Sequence, residues 1–145
     1  MNPRDLDLTP LSHAVDRLQE GRDVCRAHPE NLLFRDGLIQ RFKYTYELAH
    51  RTLRRYLATV SDLPGPAADW TLATVIREAS RLGLIRSGWP EWRNYREMRS
   101  RSNHTYDESI AVQVADGIPD FLTEALELRH RLQAAQRAAA EEANP

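Results

Sequence analysis

The 145 residues suffice for one domain with a small but complete core. Hydrophobic content of 41% and a net charge of −1 are those of an ordinary globular chain, and no apolar run approaches the roughly 20 residues that a membrane-spanning helix needs. A single cysteine, Cys25, excludes an internal disulfide and a cysteine-based zinc cluster.

Residues 1–10 carry Arg4, Asp5 and Asp7 and lack the apolar stretch of a secretory leader, so a cytoplasmic protein is expected. No segment alternates apolar and polar residues for long, whereas helical periodicity recurs almost throughout, which predicts an all-α fold. Leu11, Ala14, Val15, Leu18 and Cys25 trace a first helix that His28 and Pro29 close. A second, long helix is predicted from about Asn31 to Ala58, with Leu38, Phe42, Tyr46, Ala49, Leu53 and Leu57 on one buried stripe. Residues 61–69 hold two prolines and a glycine and read as a loop. Leu72, Val75, Ile76, Ala79 and Leu82 give a third helix its apolar face, with Gly83 as its C-terminal cap. A fourth begins near Trp89-Pro90 and turns Trp92, Tyr95 and Met98 inward. Thr105 and Glu108 fit a capping box, so a fifth helix should start near Tyr106 and be kinked or broken at Gly117 and Pro119. The expected result is an antiparallel bundle of four to five helices over residues 1–133, with a frayed tail over 134–145.

Basic charge is uneven along this frame. Residues 35–55 hold six basic and two acidic side chains, and residues 86–101 hold five and two. Such stretches suit a polyanion, although a solvated helix face is the commoner explanation of any one of them. Within the second stretch and just beyond it stand Arg99, His104 and Tyr106, spaced R-x4-H-x-Y. In unbroken helix Arg99 and His104 would lie about 140° apart and share no ligand. A helix start after His104 changes this, because free backbone N–H groups and the helix dipole there favour an anion such as phosphate. Histidine exchanges protons near neutrality, and arginine's planar fork binds phosphate oxygens in pairs. These are the residue types that metal-independent RNA cleavage requires: a base near the 2′-hydroxyl and a fixed cation beside the charge of the transition state. On spacing alone the pattern is weak, since a lone histidine more often caps or packs.

The blocks Asp36-Gly37-Leu38-Ile39-Gln40-Arg41-Phe42, Tyr44-Thr45-Tyr46-Glu47-Leu48-Ala49, Arg77-Glu78-Ala79 with Gly83-Leu84-Ile85, and His104-Thr105-Tyr106-Asp107-Glu108 resemble the nucleotidyltransferase substrate-binding protein family, a branch of the HEPN superfamily related to HepT toxins. The resemblance covers about residues 31–132. It implies a homodimeric helical bundle with Arg99 and His104 near the dimer cleft, acting as a ribonuclease on an RNA such as tRNA or mRNA. It further implies a toxin–antitoxin pair, in which a minimal nucleotidyltransferase of the MntA type silences the toxin by transferring AMP from ATP to Tyr106. ATP and magnesium would then belong to the partner, and the chain itself would hold no metal or cofactor. Ser100 follows the motif arginine where many HEPN ribonucleases carry Asn, Asp or His, and Asn103 is the nearest polar side chain to take that role.

Tyr46 and Glu47 are supporting candidates. An aromatic at helical spacing is usually core, whereas Glu47 lies well round the helix from the apolar stripe and is free to meet solvent, a second subunit or Arg99. Glu47-x-x-His50 and Glu127-x-x-His130 repeat a di-iron signature, but their helical angles point away from a common interior. Two rivals to the ribonuclease remain: a non-catalytic substrate-binding subunit of a nucleotidyltransferase, and a helical interaction module without chemistry.

Overall fold

The computed structural model describes residues 2–143. Five helices follow in chain order: α1 Thr9–Ala27, α2 Leu32–Val60, α3 Leu72–Arg81, α4 Trp89–Arg101 and α5 Glu108–Ala143. No strand occurs among the described residues, so the chain is an all-α bundle. Residues 144 and 145 of the expected tail lie outside the described residues.

Local chemistry fixes most helix ends. The Asn31 side chain accepts from the Phe34 amide at 2.9 Å and starts α2, and Thr71 does the same for α3 through the Thr74 amide at 3.1 Å. Gly83, at φ +72, closes α3 in the left-handed conformation that glycine adopts without strain. At α4 the Glu91 carboxylate reaches back to the Gly88 amide at 3.0 Å. Cys25 is half-buried against the core, without a disulfide.

The stripe read from α2 is buried, as are Trp92, Tyr95 and Met98 on α4. Phe121 of α5 sits at the centre of the aromatic core. Its ring lies 5.0 Å from that of Phe42, 5.2 Å from Tyr95 and 6.2 Å from both Trp92 and Tyr46. Edge-on contacts of this kind add to the area that the rings bury and set the helices' mutual rotation. α1 and α2 form a close hairpin, pinned where Arg41 donates to the Arg17 carbonyl at 2.7 Å and Glu20 at 2.9 Å. The fully buried Glu124 of α5 accepts from the Ser87 amide (3.1 Å), the Ser87 hydroxyl (2.6 Å) and the Trp92 indole (2.6 Å). This carboxylate holds the start of α4 against α5, and through α4 it positions Arg99.

Two expectations need correction. First, α5 begins at Glu108, and its cap is Asp107: Oδ1 of Asp107 accepts from the amides of Ser109 (3.0 Å) and Ile110 (3.3 Å). The Thr105–Glu108 box does not form, because Glu108 instead pairs bidentately with Arg35 at 2.6 and 2.9 Å. Secondly, α5 runs unbroken through Gly117 and Pro119. Val114, Ile118, Phe121 and Leu122 on either side are all buried, and that packing outweighs the one helical hydrogen bond that proline removes. Gly117 gives room to a neighbour, since a Cβ there would meet the end of the Met98 side chain at 2.8 Å and oblige it to shift. Beyond residue 133 α5 continues as helix to Ala143, and Gln136 donates to the carbonyls of Leu6 (2.6 Å), Pro3 (3.2 Å) and Arg4 (3.4 Å). Leu6 and Leu8 are thereby buried against the bundle.

Candidate functional site

Two adjoining groups of side chains gather at the end of α4. In the first, Arg99 is held from two sides: its Nε lies 3.2 Å from Glu47 Oε1, and its Nη1 donates to Asn103 Oδ1 at 3.3 Å. The buried Nε has no hydrogen-bond partner of acceptable geometry, so the attraction to Glu47 is Coulombic. Glu47 Oε2 accepts from His50 Nε2 at 3.1 Å and lies 4.0 Å from Arg51. Within the chain, Glu47 therefore meets Arg99.

A carboxylate only accepts, so Nε2 carries the His50 proton and leaves Nδ1 as a lone pair. That Nδ1 is buried without a partner. Burial pushes the pKa of His50 below its ordinary value, against the opposing pull of Glu47, so the ring is neutral at pH 7. Tyr46 is core: its ring packs 5.2 Å from His50, and burial, aided by the charge of Glu47, raises its pKa to about 12. With Arg54, Leu72, Arg96 and Ser100, these side chains line a cleft of about 360 Å³ between α2 and α4. Three arginines face one carboxylate there. Arg54 is partly committed, donating to the carbonyls of Ala67 (2.8 Å) and Trp70 (2.6 Å).

The second group is His104 and Tyr106. A single 3₁₀ turn, Ser102–His104, follows α4 and carries His104 out of the helix. His104 Nδ1 lies 3.1 Å from Tyr106 Oη with the rings edge-on, and Tyr106 is 86% exposed. The phenol therefore stands free in solvent with an imidazole beside it. The helix start expected to seat a phosphate is occupied, because Asp107 takes the first free amides of α5. Arg99 is turned into the cleft, His104 lines no part of it, and no hydrogen bond or ion pair among the described residues joins the two. Asn103 links the groups through the chain, while Ser100 is exposed at the cleft's edge.

His50 and Arg96 were not singled out from the sequence as part of this site. Both stand at helical spacing from motif residues, His50 four after Tyr46 and Arg96 three before Arg99, which is the signal that places them on the same faces. Elsewhere, a larger depression of about 640 Å³ runs along α1 beside Val24, His28 and Phe34, but Asp16, Glu20 and Asp23 make it acidic and it holds no motif residue. The second Glu-x-x-His pair takes no part in a metal site: Glu127 pairs with Arg131 at 2.9 Å and His130 is exposed. Among the described residues no three His, Cys, Asp or Glu side chains gather as metal ligands.

Comparison with known proteins adds four findings. The sequence model of a family described as nucleotidyltransferase substrate binding protein like matches residues 6–134. A Haemophilus influenzae protein named probable ribonuclease HepT is 35% identical over 97 residues; the match covers 67% of this chain and 66% of that protein, just under two thirds of its length. A solved structure from the same organism, described as the fold of a substrate-binding domain of a nucleotidyltransferase, superposes with a TM-score of 0.80 at 28% identity, covering 88% of this chain and 99% of the other. A Thermus thermophilus protein superposes at 0.65 with 29% identity, over 88% of this chain and 98% of the other.

Proposed function

This chain belongs to the nucleotidyltransferase substrate-binding-protein-like family, and from that premise we propose that it is a HepT-type ribonuclease toxin whose partner, a minimal nucleotidyltransferase, silences it by AMP transfer to Tyr106. The observation that carries the reading is the contact of His104 Nδ1 with the exposed Tyr106 hydroxyl at 3.1 Å, five residues on from Arg99 in the sequence. The likeness to a protein named probable ribonuclease HepT supports it.

In the cleavage step His104 removes the proton of an RNA 2′-hydroxyl. The 2′-oxygen then attacks the adjacent phosphorus, the bond to the 5′-oxygen breaks as that oxygen takes a proton from water, and a 2′,3′-cyclic phosphate and a 5′-hydroxyl result; the hydroxide so formed takes up the proton held by His104. Arg99 neutralises the oxyanion charge that grows as this happens. The step needs one ring nitrogen as a base, and the Tyr106 hydroxyl supports it by accepting from Nδ1–H, which leaves the Nε2 lone pair for the substrate. In the silencing step the Tyr106 oxygen attacks the α-phosphorus of ATP and pyrophosphate leaves. The partner supplies the magnesium and the base, since an ordinary phenol titrates near 10. The product loses the phenolic proton and gains a phosphodiester anion beside His104, where it repels RNA and offers Arg99 a false ligand.

RNA reaches such a site in the cytoplasm. No helix is long and apolar enough to cross a membrane among the described residues. A homodimer accords with the exposed Leu32, Leu33 and Val112, and a second subunit is one source of the convergence that Arg99 and His104 lack within a single chain. The rival, a substrate-binding subunit without catalysis, is favoured by that same separation and by the description of the superposing Haemophilus structure.

Expression of the chain alone separates the two. Wild type should arrest growth and cut RNA, and His104→Ala and Arg99→Ala should do neither; harmless wild type, or toxicity that survives in His104→Ala, refutes the ribonuclease. Co-expression with the partner should add about 329 Da per AMP, the mass of one nucleotide unit, and Tyr106→Phe should abolish the addition. An unmodified wild-type chain refutes the silencing step.

A further inference from the structure

His50 and Arg99 both line one small cleft, and each has a buried nitrogen without a hydrogen-bond partner, Nδ1 and Nε respectively. Buried polar groups are nearly always satisfied, and a pair left unsatisfied in one place marks a site whose occupant is absent or a residue held off its working position. Both residues also meet Glu47, whose carboxylate lies 3.2 Å from Arg99 Nε and accepts from His50 Nε2 at 3.1 Å. The charge balance points the same way. Arg54, Arg96 and Arg99 face the single carboxylate of Glu47, and Arg96 has no carboxylate partner among the described residues, only the Trp89 ring at 5.2 Å. A cleft with this surplus attracts an anion, and a volume of about 360 Å³ admits a phosphate with its sugar.

We propose that this cleft is a phosphate subsite for the RNA strand, with Glu47 as its resident, exchangeable anion that parks Arg99 away from His104 until a backbone phosphate displaces it. The inference rests on the ribonuclease reading for the identity of the anion, but not for the exchange itself. Arg99 is suited to it. Glu47 engages only Nε, without hydrogen-bond geometry, and Asn103 engages Nη1 at the long distance of 3.3 Å, so the fork that grips phosphate is loosely held. On release Glu47 gives up its attraction to Arg99 but keeps His50 Nε2–H at 3.1 Å and Arg51 at 4.0 Å. Arg96, one turn before Arg99, supplies the second cation. The separation of Arg99 from His104 is then the resting state of the site, and phosphate binding frees the guanidinium to approach the imidazole.

The probe is a fluorescein-labelled 2′-O-methyl RNA octamer, which lacks the attacking hydroxyl, read by anisotropy against the full chain. Glu47→Gln keeps the shape and the contact with His50 but removes the competing charge, and it should bind the octamer at least fivefold tighter than wild type. Adding Arg99→Ala should erase the gain, and Arg96→Gln should weaken binding severalfold in either background. Equal or weaker binding by Glu47→Gln, or a gain that survives Arg99→Ala, overturns the proposal. A second measurement uses the unaltered chain: in ¹⁵N spectra of arginine side chains, inorganic pyrophosphate should shift the Arg99 Nε–H resonance, and an unmoved resonance at saturation overturns it too. Tighter binding by Glu47→Gln together with no cleavage by any variant would leave the subsite standing and refute the ribonuclease reading, so the two fail separately.

Discussion

Removing the Glu124 carboxylate should be among the most damaging single changes outside the apolar core. Glu124 is fully buried and accepts three hydrogen bonds, from the Ser87 amide, the Ser87 hydroxyl and the Trp92 indole. In Glu124→Ala the indole N–H of fully buried Trp92 is orphaned, and an orphaned buried donor costs about 1–3 kcal/mol. The Ser87 hydroxyl can turn elsewhere, but its amide and the vacated volume add to the loss, for a total of about 3–5 kcal/mol. Glu124→Gln has the same shape. Its oxygen can accept from the Ser87 amide and Trp92, and its amide can donate to the Ser87 hydroxyl, which rotates to accept. The cost falls to about 1–2 kcal/mol, the difference between charged and neutral hydrogen bonds. Urea unfolding followed by far-ultraviolet circular dichroism reads both variants, and the midpoint should fall at unchanged slope. Equal destabilisation by Ala and Gln, or a loss below about 1 kcal/mol for Ala, would refute the view that satisfied hydrogen bonds at this carboxylate anchor α4.

Three further expectations can be checked by stability and exchange measurements. Asp107→Ala should cost about 1 kcal/mol as the true cap of α5, whereas Thr105→Ala should stay within about 0.5 kcal/mol; the reverse order would restore the capping box. His50 is neutral in the fold because burial lowers its pKa, so the unfolded chain binds the extra proton. Stability is therefore retained above the ordinary histidine value of about 6.5 and falls as the pH drops through the window below it, and His50→Gln should flatten the dependence of the urea midpoint between about pH 5 and 7. Gln136→Ala should release the segment before α1, seen as faster amide exchange around Leu6 and Leu8 with α2 unchanged; uniform protection would show that the three carbonyl contacts do not hold it.

The helical class, the close of α1 at His28, the approximate span of α2, the start of α4 near Pro90 and most of the buried stripes could be read from the chain, because they follow from local rules: the 3.6-residue repeat, Gly83 as a stop, Pro90 in a first turn. Leu82, counted in the α3 stripe, is exposed. The R-x4-H-x-Y spacing was equally local, and the four blocks of resemblance pointed to the family that the comparisons show. The failures share one cause. Glu108 left its capping box for Arg35, 73 residues away, and α5 passed Pro119 because residues on either side reach a core built by other helices. Likewise the cleft joins Glu47 and His50 on α2 to Arg96 and Arg99 on α4, a meeting that no spacing within either helix encodes. Sequence sets what each segment can become and which side chains it carries. Which of them meet, and hence that Arg99 faces Glu47 and not His104, is decided by long-range packing, where burial energies summed over several helices exceed the one or two kcal/mol of a local preference.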